Sequence, residues 1–195
     1  MTASPTTLVT NELNRTHRLF LGFLQKLSDE ELHHNLSSGS HSIAWHAWHT
    51  ARWADFVQAS LPGMTPELGS RLGTGVQVWY RDDLANRWGF KADDLGFDET
   101  GMQMNDAAAQ ALVFPAKAAL LDYVERAFTA IAESLKQLDD EQFVSAEQIQ
   151  PMTEAIWAEG AVGKVVLEHV SHANRHLGMI ECLLGLQGKP GTATK

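Results

Sequence analysis

Histidines cluster in two short windows of the 195-residue chain, and they are the residues best placed to do chemistry. Six of the nine fall in these windows: His41, His46 and His49 in the first, and His169, His172 and His176 in the second. On a helix, His172 and His176 share one face because they are four residues apart, with Cβ atoms about 5 to 6 Å apart. Two imidazoles so spaced can direct ring nitrogens at one metal ion.

The first window places His49 within an apolar helical stripe that contains Trp45 and Phe56. A histidine in such a stripe needs a hydrogen bond, a metal or water, because an unsatisfied buried polar group costs about 1–3 kcal/mol. If the two histidine helices are neighbours, His49, His172 and His176 form a three-histidine site with an open position for water or substrate. That arrangement is typical of a catalytic metal, so we predict these three residues as ligands.

Other residues in and near the windows receive secondary roles. Three residues are predicted to lie around the ligands and to give acid-base help or contact an anion: His46, about 60° from the core stripe, His169 and Arg52. Zinc, nickel and ferrous iron all accept imidazole ligands, so the ligand type does not choose among these metals. His41 is predicted at a helix cap. We expect the remaining histidines on the surface: His17, His33 and His34.

Two further residue types are interpreted as packing. The cluster Trp45, Trp48 and Trp53 is predicted to be core rather than a binding cage. Cys182 lies about 120° around the helix from His176, which makes it a poor ligand. We predict that Cys182 is a buried small hydrophobe.

The elements that position these residues are predicted to be four long helices. Apolar residues at steps of three and four indicate helices over about 6–27, from a cap at Ser40 or Ser42 to residue 60, from Pro115 to 138, and over about 159–186. Seven glycines and two prolines interrupt residues 61–104. The sequence shows no alternation of apolar and polar residues long enough to predict a strand, so no sheet is expected. The fold class is therefore all-α, a four-helix bundle with a long crossover, about 61–115, between helices two and three.

Composition narrows the class of protein. The formal charge of −9 and pI near 5.4 argue against nucleic acid and anionic membranes as partners, because phosphate binding relies on Lys and Arg. The sequence contains no run of 18 apolar residues, so no membrane span is predicted. A single cysteine and a start without signal-peptide features predict a cytoplasmic protein. We expect one domain over 1–195, with a polar tail over about 188–195.

Two segments carry a family resemblance: SIAWHAWHTARWADF in helix two and LEHVSHANRHLGMIECLLGLQG in helix four. They resemble the DinB-like superfamily of four-helix-bundle metalloproteins, and the resemblance covers most of the chain. It implies that His49, His172 and His176 bind a divalent metal, usually zinc or nickel. It also implies transfer or isomerisation chemistry with a small thiol such as mycothiol, bacillithiol or glutathione. The stretch VWYRDDLANRWGF resembles the crossover of one branch.

Three functions remain open at this point. The first is a metal-dependent transferase or isomerase whose partners are a small thiol and a small-molecule substrate. The second is a metal-dependent hydrolase, for which the sequence offers no evident general base, since Glu168 and Glu181 lie off the ligand face. The third is a non-catalytic metal-binding bundle, with a homodimer built on an exposed helical face or on the crossover.

Overall fold

The computed structural model describes residues 3–35, 40–144 and 161–191. Its α-helices, numbered along the chain, are α1 (Pro5–Lys26), α2 (Asp29–His33), α3 (Ile43–Ser60), α4 (Pro66–Leu72), α5 (Val78–Arg81), α6 (Leu84–Arg87), α7 (Asp106–Ala111), α8 (Lys117–Leu135), α9 (Asp140–Val144) and α10 (Val162–Leu186). Two short 3₁₀ turns span Leu61–Gly63 and Ala92–Asp94. The described ranges contain no strand, so the predicted all-α class is confirmed.

The four predicted long helices correspond to α1, α3, α8 and α10. Ser42, one of the two predicted caps, begins α3 by accepting a hydrogen bond from the backbone N–H of Trp45 at 3.1 Å. Helix α8 ends about one turn before the predicted residue 138. The predicted start of the last helix near residue 159 lies outside the described residues, as does the end of the tail beyond residue 191.

Helix α3 lies at the centre of the packing. It contacts α8 and α10, which both also contact α1. Every residue from Ile43 to Gln58 is buried, so α3 has no solvent face along that length. A helix is buried on all sides only when a further layer covers the face that its bundle neighbours leave free.

The segment between α3 and α8 supplies that layer. Trp79, Phe90 and Phe114 each pack their rings against Trp48 of α3, with centroids 5.8 to 6.2 Å apart. Trp48 is fully buried, consistent with its predicted packing role. This long connection is therefore part of the core. Over the described part of the chain, no helix is both long and apolar enough to cross a membrane.

A buried carboxylate on α3 attaches the connection. Asp55 accepts hydrogen bonds from the backbone N–H groups of Val78 at 2.8 Å and Trp79 at 2.9 Å. Its oxygens also accept from Arg52 and Tyr123 side chains, both at 3.3 Å. The carboxylate is therefore the point at which the start of α5 is fixed to α3.

We predict that Asp55→Ala lowers the free energy of unfolding by about 3–5 kcal/mol, because it leaves the Arg52 charge and two backbone donors without their acceptor. Urea denaturation followed by circular dichroism measures the change. Asp122→Ala is the control, since Asp122 pairs with Arg126 on the surface. A loss no larger than that of the control would contradict the anchoring role of Asp55.

Candidate metal centre

Three histidines from two helices converge in the bundle. His49 comes from α3, and the pair His172 and His176 comes from α10. The Nε2 atom of His172 lies 3.1 Å from Nε2 of His49 and 3.0 Å from Nε2 of His176. Nitrogens of all three rings lie within 4.8 Å of one another, so the group could hold a metal ion. The structure thus brings together the three predicted ligands, with His172 the most exposed.

Two of the three rings are oriented through their second nitrogen. His49 Nδ1 donates to the backbone carbonyl of Thr100 at 2.5 Å. His176 Nδ1 lies 2.9 Å from His46 Nδ1, so one of these two nitrogens donates to the other. A proton on Nδ1 leaves the Nε2 lone pair facing the shared centre, which is the tautomer a metal-binding histidine needs.

Burial keeps the imidazoles of the cluster neutral. Desolvation, with smaller contributions from Arg175 and neighbouring histidines, lowers the pKa of His172 and His176 to about 3. Burial also holds the pKa of His49 well below its usual range, with the neighbouring imidazoles adding to the effect. Because metal ligation requires the unprotonated ring, the site is in the metal-binding form at pH 7.

Aromatic rings and one glycine enclose the cluster. Trp45 stacks on His49 with centroids 4.6 Å apart, and the Trp53 ring lies edge-on to His172 at 5.8 Å. Gly101 has φ +86°, and a Cβ there would lie 2.8 Å from the Trp48 ring and 3.0 Å from His49 Nδ1. Glycine therefore allows the chain to approach His49 closely enough for the Thr100 hydrogen bond.

The donor set fits a divalent metal. Zinc, nickel and iron all bind neutral imidazole, and three protein ligands are the usual number at a catalytic zinc. Nδ1 of His172 is buried without a hydrogen-bond partner in the described part of the chain, so no protein group there fixes the orientation of this third ring.

The other predicted neighbours of the triad divide into two groups. His46 contacts His176, as described above. His169 faces His17 of α1, with the two Nε2 atoms 3.1 Å apart, and this makes a separate buried pair. The structure does not bring Arg52 to the triad, because its guanidinium donates to Asp55, Tyr123, Gln77 and the carbonyls of Asp98 and Glu99.

Two predictions about single residues are wrong. His17 is buried and stacks on Phe128 with centroids 3.7 Å apart, whereas we expected it on the surface. It lies four residues after Leu13 and three before Phe20, so the spacing already placed it on the buried face of α1. Cys182 is exposed rather than buried, because His176 points into the bundle and Cys182, about 120° around α10 from it, faces solvent.

The remaining histidines and tryptophans occupy ordinary positions. His41 stacks on Trp45 at 4.1 Å, close to the N-terminal cap of α3 where it was expected. His34 is exposed, while His33 is half-buried and bonds the carbonyl of Pro115 at 3.0 Å. The predicted core tryptophans Trp45, Trp48 and Trp53 are all buried.

Sequence reasoning missed two groups that shape the site. The carbonyl of Thr100 orients His49, but a backbone acceptor has no residue-type signature. Asp55 holds the connection that carries Thr100, and here a signal existed. Polar residues recur every third position in α3, through His46, His49, Arg52 and Asp55.

Comparison with known proteins agrees with this architecture. Residues 12–180 match the family model of the DinB superfamily. The chain belongs to the DinB superfamily. In fold, this DinB superfamily chain is similar to a conserved protein of Enterococcus faecalis known from a crystal structure, with a TM-score of 0.66 and 19% identity over 94% of this chain and 99% of the other. The search of curated proteins found no sequence that matches this chain.

The buried pair His17 and His169 predicts acid sensitivity. Burial lowers the pKa of folded His17 to about 3, whereas the unfolded chain protonates near 6.5. The unfolded state therefore binds more protons between these values, and stability is lost as pH falls from 6.5 toward 3, by about 1.4 kcal/mol per pH unit for each such group. We predict that His17→Gln weakens the dependence of the unfolding free energy on pH by about 1.4 kcal/mol per pH unit, the effect of one proton. Urea denaturation with EDTA at several pH values from 7 to 5 measures this dependence.

The matched control is His34→Gln, because the His34 side chain lies in water in both states. It should leave the slope unchanged. An unaltered slope in His17→Gln would show that His17 is protonated in the folded protein and so contradict its burial as a neutral ring.

Proposed function

We propose that this DinB superfamily member is a metal-dependent enzyme, a transferase or isomerase that uses a small thiol as its cofactor. The observation that carries the proposal is the convergence of three neutral imidazoles on one point. In the described part of the chain, no fourth metal-ligating side chain joins them. Three protein ligands leave room for a ligand from solution.

His49, His172 and His176 would hold the metal, with zinc or nickel as the expected ion and iron also compatible with the donors. Three neutral imidazoles contribute no negative charge. A bound divalent cation would therefore retain its full positive charge and stabilise the thiolate form of a thiol bound to it. His172, the ring nearest to solvent, marks the side from which such a thiol would approach.

The protein side chains perform the remaining tasks in this proposal. The Trp45 and Trp53 rings exclude water from two sides of the triad. His46 fixes the ring of His176, and the Thr100 carbonyl fixes that of His49. The net charge of −9 supports a small-molecule partner over nucleic acid, whose phosphates would be repelled.

A hydrolytic reaction has less support, because it needs a general base near the attacking water. Two acidic residues close in sequence to the site are already engaged elsewhere. The Glu99 carboxylate accepts from Trp79 Nε1 at 2.6 Å, and Glu168 lies 3.9 Å from Lys164 Nζ. His46 is bonded to His176, so it too has a positioning task.

We predict that the purified protein binds one divalent metal per chain, and that His49→Ala, His172→Ala and His176→Ala each lose it. Elemental analysis after dialysis measures the stoichiometry. His34→Ala is the control, since this exposed imidazole lies apart from the cluster, and it should retain full occupancy. Full occupancy in all three triad variants would refute the metal site.

The thiol part of the proposal has a separate readout. In the cobalt-substituted protein, a small thiol should change the visible absorption of the site, and a suitable electrophile should consume the thiol. Metal binding without either response would leave a non-catalytic bundle. His176→Ala distinguishes these further, because an open catalytic site leaves thermal stability nearly intact while a structural metal site does not.

We predict that His46→Phe keeps the metal stoichiometry but weakens zinc affinity by about 10- to 100-fold, because it removes the partner of His176 Nδ1. Competition with a chromophoric chelator measures the affinity. His41→Phe is a matched control, since His41 stacks on Trp45 beside His46 without reaching the triad. Equal affinities in wild type and His46→Phe would show that His46 does not orient His176.

A further inference from the structure

A loop of unusual backbone conformation lies against the triad. We call residues 96–103 the clamp loop. Three of its non-glycine residues have positive φ, Asp98 at 44°, Glu99 at 53° and Gln103 at 65°. Positive φ is unfavourable for residues with a Cβ, so contacts outside these residues must hold the loop in this shape.

Arg52 makes the principal side-chain attachment of the clamp loop to α3. Its Nη2 donates to the carbonyl of Asp98 at 2.7 Å, and its Nε donates to the carbonyl of Glu99 at 3.0 Å. The guanidinium is fully buried, and its other bonds go to Asp55, Tyr123 and Gln77. A planar guanidinium offers donors in fixed directions, so two successive carbonyls bonded to it have little freedom.

The next carbonyl along the loop is the one that His49 uses. Thr100 follows Glu99 directly, and its carbonyl accepts from His49 Nδ1 at 2.5 Å. His49 and Arg52 are three residues apart on α3, so the helix holds three consecutive carbonyls through two side chains. The position of the Thr100 oxygen therefore depends on the two bonds that Arg52 makes beside it.

Other contacts shape the loop without replacing this attachment. Gly101 N–H donates to the carbonyl of Leu95 at 2.8 Å, and Phe97 N–H donates to that of Met102 at 2.9 Å. These bonds close the turn on itself. The Asp98 carboxylate accepts from Gln77 at 2.9 Å, which links the loop to the segment that begins α5 rather than to α3.

We propose that Arg52 is a positioning residue of the metal centre: by holding the Asp98 and Glu99 carbonyls it places the Thr100 oxygen, which keeps the proton of His49 on Nδ1 and its Nε2 free to bind. The inference rests on the proposed metal site for its functional meaning. The tautomer of His49 itself can be measured without metal.

The test compares wild type with Arg52→Lys, because lysine retains the positive charge beside Asp55 but lacks the fork that reaches two carbonyls. In metal-free, ¹⁵N-labelled wild type, long-range nitrogen correlations should show His49 as the Nδ1–H tautomer. In Arg52→Lys they should show a mixture of tautomers, and zinc affinity should fall by about tenfold or more. Arg126→Lys is the matched control, since Arg126 pairs with Asp82 and Asp122 away from the clamp loop.

A folded Arg52→Lys with the wild-type tautomer of His49 would overturn the proposal, whatever its zinc affinity. If wild type binds no zinc, the proposed function fails, while the tautomer comparison still decides the role of Arg52.

A measurement on wild type covers the case in which Arg52→Lys does not fold. If Arg52, the clamp loop and His49 are coupled, zinc should slow hydrogen exchange of Arg52 Nε–H and of the Gly101 amide. Arg126 Nε–H should exchange at the same rate with and without zinc. Equal exchange at Arg52 in both states would also overturn the proposal.

Discussion

The burial of α3 on all sides from Ile43 to Gln58 is the constraint on which the rest of the structure depends. Five polar side chains follow this helix at every third position: His46, His49, Arg52, Asp55 and Gln58. None can turn to water, so each must find a partner inside the protein. A step of three residues moves about 60° around a helix, so the stripe winds around α3 instead of following one face. Its partners change accordingly, from α10 through the clamp loop to the segment that precedes α5.

This winding explains why the connection between α3 and α8 belongs to the site. The bundle alone could satisfy His46, whose partner His176 is on α10. The bundle gives Arg52 only Tyr123 and Asp55 as partners. The connection supplies the rest, through two backbone carbonyls and the Gln77 side chain. These hydrogen bonds from α3 also hold the clamp loop in a conformation with several positive φ angles. The connection therefore forms one side of the candidate metal centre, and its shape and the orientation of His49 are determined together.

Much of this arrangement could be predicted from residue types and spacing. Helical periodicity and caps locate the long helices, because apolar side chains must share one face and serine must precede the first turn. The spacing of His172 and His176 predicts that they share a face, and the apolar stripe predicts that His49 points inward. His17 was equally predictable, since its spacing from Leu13 and Phe20 placed it on a buried face, but a polar residue type suggested the surface.

The clamp loop could not have been predicted from residue types and spacing. Its function depends on the carbonyls of Asp98, Glu99 and Thr100, which every residue type possesses, so no pattern of side chains marks them. Those acceptors are uncharged. A carboxylate beside His49 would favour the imidazolium. The Thr100 carbonyl orients the ring and also raises the pKa of His49, but burial lowers this pKa by more. Although the protein is acidic, no carboxylate joins the triad among the described residues, so the triad itself carries no negative charge.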